Sequence, residues 1–262
     1  MNAAKGRRFH ALTMDAAAPI VRAVMTNKAI LIAHDRDEMD DRASAFLKKK
    51  GFACVWACPA EGDAVPTIDE SVAALVVYGG KYGVPDKETH SFLKDEMRII
   101  RGALDRDIPV LGICLGAQLL AHELGAEVGP HPEGYHEYGY YPLATTDEGR
   151  NVIPDGLMVL QSHYHGFDIP PGAVRLAGTE CYANQAFRHG EHAFGFQFHP
   201  EASRNALTRW IGRRGDRNFA KGAFAPERQL EDNAKYDGAL GRWFEDFLER
   251  WIAPALARSR AA

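Results

Sequence analysis

The sequence lacks a basic excess: Lys and Arg number 31 against 35 Asp and Glu, a net charge of −4. Nucleic acids and anionic membranes are held through surplus cations, so neither is an expected partner. Lys48-Lys49-Lys50 is a lone short basic run and reads as a solvated helix end. Long apolar runs are missing too. Nothing approaches the ~18 residues of a membrane span, and the stretch from Ala16 to Met25 is broken by Pro19 and Arg22. Cysteine is scarce: Cys54, Cys58, Cys114 and Cys181, at spacings that form no disulfide framework. With no secretory leader visible, a reducing cytoplasm is the expected setting. There is no Gly-x-x-x-x-Gly-Lys-Ser/Thr loop for a nucleotide phosphate, no internal repeat and no low-complexity tract.

What is present fits one large α/β domain of ordinary balance, 46% hydrophobic and 25% charged over 262 residues. Residues 1–27 are Ala-rich and read as a flexible extension, leaving 28–262 as a single domain. Ala29 to Ala33 is a continuous apolar run, the mark of a strand covered on both faces. Met39, Ala43, Phe46 and Leu47 then recur at helical spacing. Strands are expected at Phe52–Trp56, Ala73–Tyr78 and Pro109–Ile113, with a helical stripe at Leu93, Met97, Ile100 and Leu104. This alternation predicts a mostly parallel central sheet with helices on both faces. Short segments follow at Tyr138–Leu143, Met158–Gln161, Val174–Ala177, Asn184–Phe187 and Ala193–His199, the last two joined by a hairpin at Arg188-His189-Gly190-Glu191. They predict a small antiparallel extension. Residues 213–236 read as a polar, irregular surface insertion. The final helix carries Leu240, Trp243, Phe244, Phe247, Leu248, Trp251 and Ile252 on one face, either docked on the core or offered to a second subunit as a homodimer contact.

Chemistry concentrates at Gly112-Ile113-Cys114-Leu115-Gly116-Ala117-Gln118, where a buried strand runs through Gly-x-Cys-x-Gly into a helix. This is the Cys form of a nucleophile elbow. The turn lifts the sulfur to the carboxyl end of the sheet, where clefts form, and the following helix N-terminus favours negative charge there. Downstream lies Gly195-Phe196-Gln197-Phe198-His199-Pro200-Glu201. Alternation puts Phe194, Phe196 and Phe198 into a core and Gln197 and His199 on the other face. His199 is the expected base and Glu201 its orienter, with Cys114 as nucleophile. The glycines of Tyr78-Gly79-Gly80 free backbone amides, so Gly80 and Leu115 N–H are candidates for an oxyanion hole.

Together these segments, from about Ala29 to Trp210, resemble the class I glutamine amidotransferases, in particular the glutaminase module of GMP synthetases. Gly112 to Gln118 looks like the family's nucleophile motif, Phe198-His199-Pro200-Glu201 like its His-x-Glu motif, and Gly79-Gly80 and Glu137-Tyr138-Gly139-Tyr140-Tyr141-Pro142 agree in order and place. The resemblance implies a flavodoxin-like α/β fold. It also implies a Cys114–His199–Glu201 triad that opens a linear amide bond through a γ-glutamyl thioester, without a cofactor or metal. Gln118, Ser162, His163 and Tyr164 are the expected substrate contacts. Where family members often read Trp-His-Gly-Asp, this chain has Gln161-Ser162-His163-Tyr164-His165-Gly166-Phe167-Asp168, with Tyr164 in place of Gly and His165 in place of Asp. No ATP loop and no room for a fused synthetase leave two expectations. The module hydrolyses a small γ-glutamyl amide, or it delivers ammonia to a synthetase subunit. The hydrolytic reading is favoured, with Tyr138, Tyr140, Tyr141 and Tyr164 widening the leaving-group pocket.

Three rival readings stand beside this one. A dienelactone-hydrolase-like enzyme shares the elbow but would need an Asp such as Asp155 or Asp168 between Cys and His. A metal site could draw on His163 and His165, with His189 and His192 nearby, but no Cys or carboxylate completes the set. A non-catalytic binding or regulatory protein would be free to lose Cys114, His199 and Glu201, all of which are present.

Overall fold

A computed structural model describes residues 27–261; the expected extension, 1–27, lies outside them except for Asn27. The elements, in order, are β1 (Lys28–Ile32), α1 (Arg42–Lys49), β2 (Ala53–Ala57), β3 (Val72–Val77), α2 (Phe92–Leu104), β4 (Val110–Ile113), α3 (Leu115–Glu123), β5 (Val128–Pro130), β6 (Glu137–Pro142), β7 (Ala144–Thr145), β8 (Met158–His163), β9 (His165–Phe167), β10 (Ala173–Gly178), β11 (Ala186–His189), β12 (Ala193–Phe196), α4 (Arg204–Arg214) and α5 (Pro226–Ala261).

One eight-stranded sheet runs in the order β2-β1-β3-β4-β12-β11-β10-β7. It is parallel from β2 to β12 and antiparallel beyond. Two small antiparallel ribbons, β5–β9 and β6–β8, complete the expected extension. The continuous apolar runs have a direct cause: alternate residues of each central strand enter different cores. Leu31, Val76 and Leu111 face α1 and α5, while Ile30, Leu75, Val77 and Val110 face α2 and α3.

The aromatic face of α5 is spent on the chain's own core. Leu240, Trp243, Phe244, Phe247, Leu248, Trp251 and Ile252 are all buried there, so this face is no subunit contact. Truncating one such ring to alanine costs about 3–5 kcal/mol. Trp243 Nε1 donates to the Val152 carbonyl at 2.8 Å and Trp251 Nε1 to that of His192 at 3.0 Å, so neither indole N–H is stranded.

The expected surface insertion at 213–236 is corrected. Arg214 ends α4, a short 3₁₀ turn spans Gly215–Phe219, and α5 already begins at Pro226. Arg214, Asn218, Gln229 and Asn233 are buried, because the polarity of this segment serves internal hydrogen bonds as well as water. Strand β12 also ends three residues earlier than expected, and His199 lies in the segment beyond it.

Candidate active site

The carboxyl ends of β3 and β4 open into a cavity of about 460 Å³. Cys114 lies at its floor, immediately after β4, at φ 51° and ψ −107°, as the residue preceding α3. A non-glycine residue held at positive φ stores about 1–3 kcal/mol, repaid here by tight packing around the elbow. That packing explains the flanking glycines. A Cβ on Gly116 would come 1.9 Å from the Val77 carbonyl oxygen, and one on Gly112 would come 2.5 Å from the Gly116 oxygen. Backbone cannot yield at such distances, so α3 rests this close on β3 and β4 only without those side chains.

His199 reaches the same cavity from the far side of Gly79. A Cβ on Gly79 would come 2.8 Å from His199 Cε1 and 3.3 Å from Cys114 Cβ, so this glycine keeps the space between sulfur and imidazole clear. The Cys114 N–H donates to the Phe196 carbonyl at 2.8 Å and the His199 N–H to that of Leu160 at 2.8 Å, fixing both backbones. Glu201 Oε1 lies 2.8 Å from His199 Nδ1, and both side chains are buried. Nδ1 therefore donates to the carboxylate, and the buried Nε2 is left for Cys114 and the cavity. Burial opposes the imidazolium. The Glu201 carboxylate and the Cys114 sulfur outweigh it, and the His199 pKa is pushed up to about 10. Trp210 covers the ring at 4.6 Å between centroids.

Leu115 is the first residue of α3, so its N–H has no partner within the helix. The Gly79–Gly80 peptide is held by two residues that sequence reasoning missed. His34 Nδ1 lies 2.9 Å from the Gly79 carbonyl oxygen and His34 Nε2 lies 2.9 Å from Glu96 Oε2, with both side chains buried. In a trans peptide the carbonyl and the next N–H point in opposite directions. Anchoring the Gly79 oxygen on His34 thus turns the Gly80 N–H away from it. A polar residue directly after the apolar run of β1 was the signal available in the sequence.

The expected substrate contacts Gln118, Ser162, His163 and Tyr164 all line the cavity. Gln118 is held by Gln197 at 3.1 Å. His163 has both ring nitrogens occupied, by Glu137 Oε2 at 3.0 Å and the His165 carbonyl at 2.8 Å, so it orients its surroundings. Glu137 is in turn held by Thr179 and Gln185. Of the tyrosines, Tyr138 and Tyr164 line the cavity and Tyr140 and Tyr141 do not. Tyr140 is buried with its hydroxyl between Asn233 and Asp237, and Tyr141 stacks on Phe224 and donates to the Gly222 carbonyl. Among the described residues no cluster of three His, Cys, Asp or Glu side chains could hold a metal ion. Likewise, no described helix is long and apolar enough to cross a membrane.

The sequence reading also missed the cations of the cavity wall: Lys81, Arg213, Arg214 and Arg217, against one carboxylate, Asp35. Arg213 is paired with Asp35 at 2.7 Å and Asp37 at 3.0 Å. Arg214 is buried, donating to Gln229 Oε1 at 3.0 Å and Ser162 Oγ at 2.5 Å, with its guanidinium 4.2 Å from the centre of the Tyr138 ring. Burial pushes its pKa down to about 10.

The family described as glutamine amidotransferase class-I matches residues 56–211. The glutamine amidotransferase-like protein YfeJ of Salmonella typhimurium is 31% identical over 182 residues, covering 65% of this chain and 75% of that protein. The glutamine-hydrolyzing GMP synthase of Porphyromonas gingivalis is 36% identical over 135 residues, covering 50% of this chain and 25% of that protein. The match thus spans three quarters of the former relative and one quarter of the latter. Among solved structures, a glutamine amidotransferase of Thermotoga maritima has a TM-score of 0.78 at 30% identity, covering 87% of this chain and 98% of that one. A glutamine amido transferase of Methylobacillus flagellatus also reaches 0.78, at 25% identity, covering 88% and 95%.

Proposed function

Because this chain belongs to the class I glutamine amidotransferase family, we propose that it hydrolyses a γ-glutamyl amide bond through a thioester on Cys114. The observation that carries this reading is the meeting of Cys114 with the His199–Glu201 pair across Gly79 in one cavity. Before substrate arrives, His199 holds the proton given up by the Cys114 thiol, a state that its raised pKa and the Glu201 carboxylate favour. The Cys114 sulfur attacks the γ-carbonyl carbon and an S–C bond forms. The charge that moves to oxygen is met by the Gly80 and Leu115 amides. As the C–N bond breaks, His199 passes its proton to the departing nitrogen. Neutral His199 then takes a proton from water, whose oxygen attacks the thioester carbonyl. The C–S bond breaks, and glutamate leaves.

No cofactor takes part in these steps. Cysteines left free suit a reducing cytoplasm. In this scheme His34 is a positioning residue for the Gly80 amide. His34→Ala is expected to lower kcat by about ten- to a hundredfold, short of the loss of a whole oxyanion donor, with a smaller change in KM. An unfolding midpoint checks that the variant is folded, and an unchanged kcat in folded protein removes the assigned role.

The function is tested by measuring glutamate release from glutamine and from several γ-glutamyl amines. Release from a substituted amide, with glutamine nearly inert, is the expected result. Weak glutamine hydrolysis that rises on adding a synthetase-containing extract would select an ammonia-delivering subunit instead.

A further inference from the structure

We propose that the leaving amine carries a carboxylate of its own, bound by Arg214 and Arg217, so that the preferred substrates are γ-glutamyl amino acids or peptides. This rests on the γ-glutamyl hydrolase reading above and names the substrate class of that same site.

Glutamine is a zwitterion without net charge, its α-carboxylate balanced by its α-ammonium group. Four cations line the cavity, and the one lining carboxylate, Asp35, is already paired with Arg213. Lys81, Arg214 and Arg217 have no ion pair to a carboxylate among the described residues. One α-carboxylate needs at most one of them, and an α-ammonium group is repelled by all three. In a chain of net charge −4, this local surplus concentrates positive potential on the space beside Cys114.

Of these three cations Arg214 alone is buried. A buried guanidinium is costly to keep from water without a counter-ion. Its direct contacts here are with uncharged groups, Gln229, Ser162 and the face of Tyr138. Those contacts fix its direction and supply no carboxylate. A planar fork of this kind matches a carboxylate. Arg217 lies three residues on, in the short turn after α4, exposed at the rim. The cavity volume, about 460 Å³, lies within the roughly 300–1,000 Å³ of sites that enclose drug-sized ligands.

The test compares kcat/KM for γ-glutamylglycine with that for γ-glutamylglycinamide, which replaces the carboxylate by an uncharged amide. Wild type is expected to favour γ-glutamylglycine by about tenfold or more, mainly through KM, and added salt should shrink the ratio. Arg214→Gln and Arg217→Gln should each lower it, and the double variant should bring it to about one. Arg217 is exposed, so its variant keeps the test sharp should the buried substitution impair folding. A wild-type ratio near one, or a ratio unmoved by both variants, overturns the inference. So does glutamate release from glutamine with both dipeptides inert, which leaves the hydrolytic chemistry standing. Absence of release from all three overturns that chemistry and the inference with it.

Discussion

Cys114→Ala is expected to abolish glutamate release, a loss on the order of 10⁶-fold, as when a covalent nucleophile is removed from a triad enzyme. The sulfur is the atom on which the acyl group rests, and nothing near it can substitute. The other cysteines, Cys54, Cys58 and Cys181, line no part of the cavity that holds His199. Alanine keeps the Cβ that packs against Gly79 and adds no volume at the elbow. The unfolding midpoint should therefore shift little compared with the loss of turnover. Glutamate release that survives the substitution would assign the chemistry to another group.

His199→Ala is expected to cost about 10²–10⁴-fold in kcat, the usual range for removing a general acid and base. Glu201→Gln should cost less, since glutamine keeps a hydrogen-bond acceptor for Nδ1 and removes only the charge. Equal or reversed losses would contradict the assigned roles. A pH profile separates them further. The His199 pKa lies above its ordinary value of 6.5, at about 10. Its protonation therefore contributes stability that is fully present below about pH 6.5 and is lost as pH rises through about 10. Leaving-group protonation should fail over the same upper range. With the Glu201 charge removed, burial is less fully opposed, so the alkaline limbs of both stability and kcat should move to lower pH. An alkaline limb that stays in place in Glu201→Gln would mean that the carboxylate does not set the proton affinity of the ring.

The central strands were legible because both their faces are covered, so apolar character alone marks Lys28–Ile32, Val72–Val77 and Val110–Ile113. Strands β5, β7 and β9 were not, since two or three residues carry no periodicity. In the site, Cys114, His199 and Glu201 announced themselves through a strand-to-helix turn and a His-Pro-Glu step. His34 and Glu96 did not: 62 residues apart in the chain, they acquire meaning only when the sheet brings them to one carbonyl. Arg214, Asn218, Gln229 and Asn233 were misread for a related reason. A polar side chain facing a buried hydrogen-bond network looks, in sequence, like one facing water. The tyrosines at 140 and 141 erred the other way, their hydroxyls being consumed by α5 and the loop before it.

The most direct measurement is labelling with a glutamine analogue that carries a chloroketone in place of its amide, read by peptide mass. The account predicts one label per chain, on Cys114, with activity lost in proportion and protection by excess γ-glutamyl substrate. Cys114 is only 6% exposed, whereas Cys54 and Cys181 are more open, so general thiol reactivity would favour the latter. Label on Cys54 or Cys181 with Cys114 unmodified, or full turnover retained after Cys114 is modified, would contradict it.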